Sequence, residues 1–251
     1  MKIARYTYHG KTYTGIVQNN TVNRCLGDIY DGDFSFANDG IPLSSVKIET
    51  PSVPTKIVAV GKNYSEHIKE MGGEVPKTPI LFIKPSTSVI ACEEDIVFPE
   101  VSNRVDHEAE LCFIIRKTAK KVKKENWQEY ILGYSCLNDV TARDIQKQDG
   151  QWTRAKSYDT FAPFGPWIET ELDPHNVKVE ARVNGEIRQS ASTNLFLYSI
   201  GELLEFITDG ITLLPGDVVT TGTPSGISPM QKGDTVEIEV EGIGVLRNYC
   251  K

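Results

Sequence analysis

The sequence predicts a mixed, strand-rich α+β fold. Short apolar runs with two-residue alternation recur along the chain, and helical periodicity is confined to a few short stretches. Nothing shows the regular strand–helix alternation of a doubly wound sheet, nor a glycine-rich loop of the dinucleotide-binding kind.

With 251 residues the chain can bury a sizeable core. Its formal net charge of -7 argues against nucleic acid as a partner. The basic run KTAKKVKK, Lys117 to Lys124, is short, is followed by Glu125, and reads as a solvated turn. The 5 cysteines are odd in number and widely spaced, which fits neither a disulfide framework nor a Cys-rich zinc site and suits a reducing compartment. MKIARYTYHG lacks the apolar segment of a signal peptide, and no apolar run is long enough to span a bilayer. A cytoplasmic protein without a membrane partner is expected.

Residues 1–50 read as a small N-terminal β cap. KIARYTY, YTGIVQ and TVNRCL are strand-like and separated by turns. IPLSSVKIETPSVPTK, with Pro42, Pro51 and Pro54, marks a boundary, and residues 51–251 form the main body. That body opens with KIVAVG, a buried strand stopped by Gly61. NYSEHIKEM follows as a helix capped by Asn63 and ended by Gly72-Gly73. ILFIKPS, ELCFII and YILGYSCLND are apolar strands, the last two separated by a polar helix around Glu125 to Tyr130. TARDIQKQDG is a helix starting just after Asp139. VKVEARVNGEIRQS alternates on both sides of Asn184-Gly185, a hairpin signal. SIGELLEFITDG is an amphipathic helix with Leu203, Leu204 and Ile207 inward. LLPGDVVTTGTPSG and KGDTVEIEVEGIGVLRNY supply the last strands and tight turns.

The informative stretch is RVDHEAELCFII, Arg104 to Ile115. Alternation puts Glu108, Glu110, Cys112 and Ile114 on one strand face and Ala109, Leu111, Phe113 and Ile115 on the other. Beyond Glu110 both faces are apolar, so the strand is central. Its two carboxylates stand about 7 Å apart at the head of a buried element. Like charges there need a basic partner, a shared proton or a divalent cation. Asp139, at the end of YSCLND, is the best third carboxylate, and an all-oxygen set favours magnesium, manganese or calcium over zinc. A strand entrance paired with lysines gives the same E-x-E pattern.

Among the 4 histidines, His67 stands three residues before Glu70 on one helix face. A carboxylate beside an imidazole fixes its tautomer and suits it to general-base work, although such pairs are also ordinary on surface helices. His107 points to the strand face opposite the carboxylates, and His9 and His175 read as surface residues. Lys84, Arg143, Gln146 and Lys156 are candidate contacts for a small anion, or in the plainer reading snorkelling side chains. TTGTPSG, Thr220 to Gly226, offers hydroxyls and N–H groups that could grip a carboxylate.

Taken in order, GKNYSEHIKEMG, PILFIKPSTSVI, VDHEAELCFII, GYSCLNDVTARDIQ, RAKSYDTFAPFGPWI and LLPGDVVTTGTPSGI resemble the fumarylacetoacetate hydrolase family, in particular its short acylpyruvase-like branch, over residues 55 to 250. The resemblance implies a β-roll catalytic domain, a homodimer, and Mg2+ or Mn2+ held by Glu108, Glu110 and Asp139. It implies a lid-borne pair, His67 and Glu70, and an oxyanion-stabilising Lys156. Substrate contacts then fall to Lys84, Arg143, Gln146 and Thr223. The implied reaction is cleavage of acylpyruvates to pyruvate and a carboxylate through an enolate. Oxaloacetate decarboxylation or tautomerisation, and isomerisation of unsaturated 2-oxo diacids, share that enolate. The alternative of another class is a non-catalytic divalent-cation-binding module.

Overall fold

The computed structural model describes residues 1–70, 72 and 74–251. Its strands used below are β1 Lys2–Tyr8, β2 Lys11–Gln18, β3 Thr21–Asp28, β4 Asp33–Phe36, β5 Lys56–Gly61, β6 Ile80–Pro85, β7 Ala109–Ile115 and β8 Ile131–Asn138. They continue with β9 Ala162–Glu169, β10 Lys178–Val183, β11 Glu186–Ser192, β12 Val218–Thr220, β13 Thr235–Val240 and β14 Gly244–Cys250. The helices are α1 Ser65–Glu70, α2 Arg143–Asp149, α3 Thr153–Lys156 and α4 Ile200–Gly210. The strand-rich α+β expectation holds.

The larger sheet runs β4-β3-β2-β1-β9-β8-β7-β12-β5-β6, and the smaller contains β14-β13-β10-β11. β7 is buried at every residue and pairs antiparallel with β8 on one side and β12 on the other. Its two faces feed two separate apolar clusters, Cys112 and Ile114 in one, Ala109, Leu111, Phe113 and Ile115 in the other. The second cluster also takes Val179, Ala181, Ile238 and Leu246 from the smaller sheet, which therefore closes over the larger one. A fully buried Leu or Phe of this kind contributes roughly 2–3 kcal/mol, so the β7 side chains anchor both layers.

Local chemistry sets the connections. Asn184 and Gly185 both adopt left-handed backbone (φ 52° and 80°), the geometry a two-residue β10–β11 turn demands. α4 starts at a capping box in which Ser199 and Glu202 satisfy each other's backbone N–H groups. Its Leu203, Leu204 and Ile207 are buried. At the other end of the chain, β1 pairs antiparallel with β9 (Ile3 opposite Ile168), so the N-terminal strands extend the larger sheet.

Asn63 does not cap α1. Its side-chain N–H2 donates to Tyr198 O and Thr221 O (3.2 and 2.8 Å), and its Oδ1 accepts from Tyr198 N (2.8 Å). The amide finds three partners across the fold, more than one helix N–H could supply. At the far end Gly72 is left-handed (φ 67°), while Gly73 of the expected Gly-Gly stop lies outside the described residues. Among the described residues, no helix is long and apolar enough to cross a membrane.

Candidate metal centre

Strand pairing builds the site. Ala109 sits opposite Asn138 in the β7–β8 register, which brings Glu108 and Glu110 to the point where β8 ends and Asp139 begins. Asp139 N–H donates to Glu108 O (2.9 Å), and Glu108 N–H to Asn138 Oδ1 (2.9 Å), fixing the strand ends together. The carboxylates of Glu108, Glu110 and Asp139 each offer an oxygen within 4.8 Å of the others, and all three residues are buried.

Their neighbours treat the three unequally. Glu108 accepts from Lys156 Nζ (2.8 Å), Thr141 Oγ1 (3.1 Å) and Arg143 Nη2. Burial pushes its carboxyl up, but the Lys156 and Arg143 charges outweigh this and hold it well below the usual range. Asp139 accepts from Lys84 Nζ and Lys156 Nζ, both at 2.6 Å. Glu110 has no cation within ion-pair distance among the described residues; it accepts one N–H, from Gly222 at 2.8 Å. Burial, then the charges of Asp139 and Glu108, push its carboxyl well above the ordinary value. A divalent cation shared by the three oxygens would supply the positive charge that Glu110 lacks. The all-carboxylate donor set suits a hard ion such as Mg2+ or Mn2+.

Around this centre His67, Arg143, Gln146, Lys156 and Thr223 line one cavity together with the three carboxylates. Arg143, first residue of α2, is tied to Asp106 Oδ2 (2.8 Å) and Gln146 Oε1 (2.7 Å) as well as to Glu108. His67 Nδ1–H donates to Glu70 Oε2 (3.1 Å), which leaves Nε2 without that partner. The other Glu70 oxygen accepts Gly226 N–H (3.0 Å), so Glu70 stands behind the histidine and joins α1 to the 220–226 loop.

Two expected contacts lie elsewhere. Lys84 is fully buried behind Asp139 and does not line the cavity. The TTGTPSG loop does grip a carboxylate with an N–H, but that carboxylate is Glu110. His107, as its strand face implied, turns away: Nδ1–H donates to Gln189 Oε1 and Nε2 accepts from Ser228. Gln189 in turn donates to Thr223 Oγ1 (2.8 Å), so this buried chain supports the Thr223 loop.

Sequence reasoning missed Asp106, whose link to Arg143 spans 37 residues and leaves no local signal. It also missed Lys62, Phe82 and Trp152 as cavity walls. Phe82 and Trp152 meet edge to face (5.4 Å), and the Lys156 ammonium lies 5.0 Å over the Phe82 ring. Gly61 was the available clue. A Cβ there would stand 2.4 Å from the Trp152 ring, so that wall needs glycine.

This fold is that of the fumarylacetoacetate hydrolase family, and the chain belongs to that family. Residues 56–250 match the family model described as fumarylacetoacetate (FAA) hydrolase C-terminal, and residues 1–51 match one described as Rv2993c-like, N-terminal. The structure of 5-carboxymethyl-2-hydroxymuconate delta-isomerase from Mycobacterium smegmatis superposes with TM-score 0.93 at 40% identity, covering 100% of this chain and 99% of that one. Maleylpyruvate hydrolase from Sphingobium sp. SYK-6, in complex with manganese (II) ion and pyruvate, gives TM-score 0.83 at 30% identity, covering 100% and 98%. Rat mitochondrial oxaloacetate tautomerase Fahd2a is 40% identical over 220 residues, 83% of this chain and 70% of the relative.

Proposed function

We propose that the protein is a divalent-metal-dependent enzyme of 2-oxo acids that cleaves acylpyruvates to pyruvate and a carboxylic acid. The observation that carries this reading is the buried Glu108–Glu110–Asp139 cluster sharing one cavity with His67. The chemistry a cation supplies there when bound is Lewis-acid polarisation of a carbonyl.

The chain's own groups account for the rest. Arg143 and Thr223 orient the anionic end of the substrate from the cavity wall, with Gln146 beside them. His67, its tautomer fixed by Glu70, takes a proton from water at Nε2. The resulting hydroxide adds to the 4-carbonyl. The C3–C4 bond then breaks, its electron pair forms the enolate of pyruvate, and the acyl fragment leaves as a carboxylic acid. Lys156 stabilises the oxyanion from the cavity floor. The proton held by His67 passes to C3, which completes pyruvate and restores the base. Lys84 acts from behind, holding Asp139 in place.

Oxaloacetate tautomerisation is the second reading, supported by the 40% identity to the rat tautomerase. It needs only proton removal at C3 and return at oxygen, which the same histidine can perform. One experiment tests both: acetylpyruvate, oxaloacetate and an unsaturated 2-oxo diacid are each incubated with Mg2+, with Mn2+ and with EDTA, and products are identified. Metal-dependent pyruvate and acetate from acetylpyruvate support hydrolysis. Enol–keto conversion of oxaloacetate without acetylpyruvate turnover moves the assignment to tautomerase. No metal-dependent turnover of any of the three favours a binding module. A homodimer is the proposed assembly, which light scattering would check.

A further inference from the structure

We propose that Lys62 recognises the second carboxylate of a 2-oxo diacid and so sets a preference for dianionic over monoanionic ligands. The inference rests on the 2-oxo-acid reading above and adds to it the residue that reads the far end of the ligand.

Charge pairing in the cavity singles Lys62 out. The other basic groups lining it are each held by a carboxylate: His67 by Glu70, Arg143 by Asp106 and Glu108, Lys156 by Glu108 and Asp139. Lys62 lines the same cavity and makes no ion pair among the described residues. It is half-buried, whereas the three carboxylates are buried, so it belongs to the mouth of the cavity. A ligand whose 2-oxo end sits on the buried floor presents its other end toward that mouth.

Backbone geometry gives a second, independent reason. Lys62 has φ 59°, in the left-handed region that a long side chain seldom occupies. Such a conformation persists where the surroundings over-determine it, and it clusters at ligand-binding positions. Here both flanks are fixed: Gly61 abuts the Trp152 ring, and the Asn63 side chain makes three hydrogen bonds across the fold. The backbone that carries this cation is therefore set before any ligand arrives, which lowers the cost of using it.

The test is equilibrium binding, independent of turnover. 2-Oxoglutarate and 2-oxopentanoate, which differ by a distal carboxylate in place of a methyl group, are titrated calorimetrically into the full chain with MnCl2 present. Wild type is expected to bind the diacid about fivefold more tightly. In Lys62→Met that ratio falls toward one, and in Lys62→Arg it is retained. A wild type with no preference for the diacid overturns the proposal without use of any variant, as does a Lys62→Met protein that keeps the preference. The outcomes separate from those of the functional reading: a preference for the diacid with no turnover of any 2-oxo acid leaves Lys62 assigned and removes the enzyme assignment.

Discussion

The Lys84 ammonium lies 2.6 Å from Asp139 Oδ1, and neither side chain reaches solvent. Burial drives the Lys84 pKa down, and the nearby Asp139 charge only partly restores it. The pair crosses from β6 to the end of β8, so it ties the floor of the site to the edge of the large sheet. Lys84→Met should cost on the order of 3 kcal/mol, because Asp139 is left buried with one cation fewer. Urea denaturation measures this. A loss below about 0.5 kcal/mol would show that Lys156 alone satisfies Asp139.

Glu110 should behave in the opposite sense. Its carboxyl is buried beside Glu108 and Asp139 and has no ion-pair partner among the described residues. Without metal, Glu110→Gln is therefore expected to be neutral or stabilising. With Mn2+ added, wild type should gain about 2.7 kcal/mol at a hundredfold excess over Kd, and the variant should gain little. Thermal melting with and without MnCl2 reads both effects. A variant that keeps the full metal-induced rise would remove Glu110 from the ligand set.

His67→Ala separates the possible reactions. Hydrolysis should fall by roughly 10²–10⁴, since water loses its base. Metal-assisted decarboxylation of oxaloacetate needs no activated water and should survive in part. Glu70→Gln should lie between the variant and wild type, because Nδ1 keeps an acceptor. Equal losses of hydrolysis and decarboxylation in His67→Ala would count against the proposed base.

Asp217 supplies an acid-sensitive lock. Its Oδ1 accepts from Thr55 N and Oγ1 (2.9 and 2.7 Å), and its Oδ2 from Lys56 Nζ and Leu214 N (2.5 and 2.9 Å). Burial pushes its carboxyl up, but the Lys56 ammonium and these donors outweigh it and hold the pKa below the usual value. A depressed folded pKa means stability that is present above the unfolded value near 4 and is lost as pH falls through the folded one. Asp217→Asn should cost about 2–3 kcal/mol at neutral pH and flatten the fall in melting temperature below pH 4. A parallel pH profile in the two proteins would show that Asp217 contributes none of the acid sensitivity.

What was legible in the sequence followed local rules. The alternation from Glu108 to Ile115 assigned each side chain to the right face, because a strand buried on both sides leaves period two as its only freedom. Asn184-Gly185 fixed its hairpin for the same local reason. Long-range choices were not legible. Lys84 could equally have met solvent, substrate or Asp139, and only the β5–β6 pairing decides it. Asn63 looked like a cap because the motif is local, whereas its partners lie 135 and 158 residues away. Gly222 seemed free to serve a ligand until folding set it against Glu110.

The Glu70–Gly226 hydrogen bond has a mechanical consequence. α1 carries the histidine, and the 220–226 loop carries Thr223 and backs Glu110. A tug on either segment is felt by the other, whereas Asp139 is braced separately by Lys84 from the sheet. One loop thus steadies the histidine, through Glu70, and a floor carboxylate, through Gly222. Redesign of what the protein accepts should therefore spare that loop as well as the Asp139 brace.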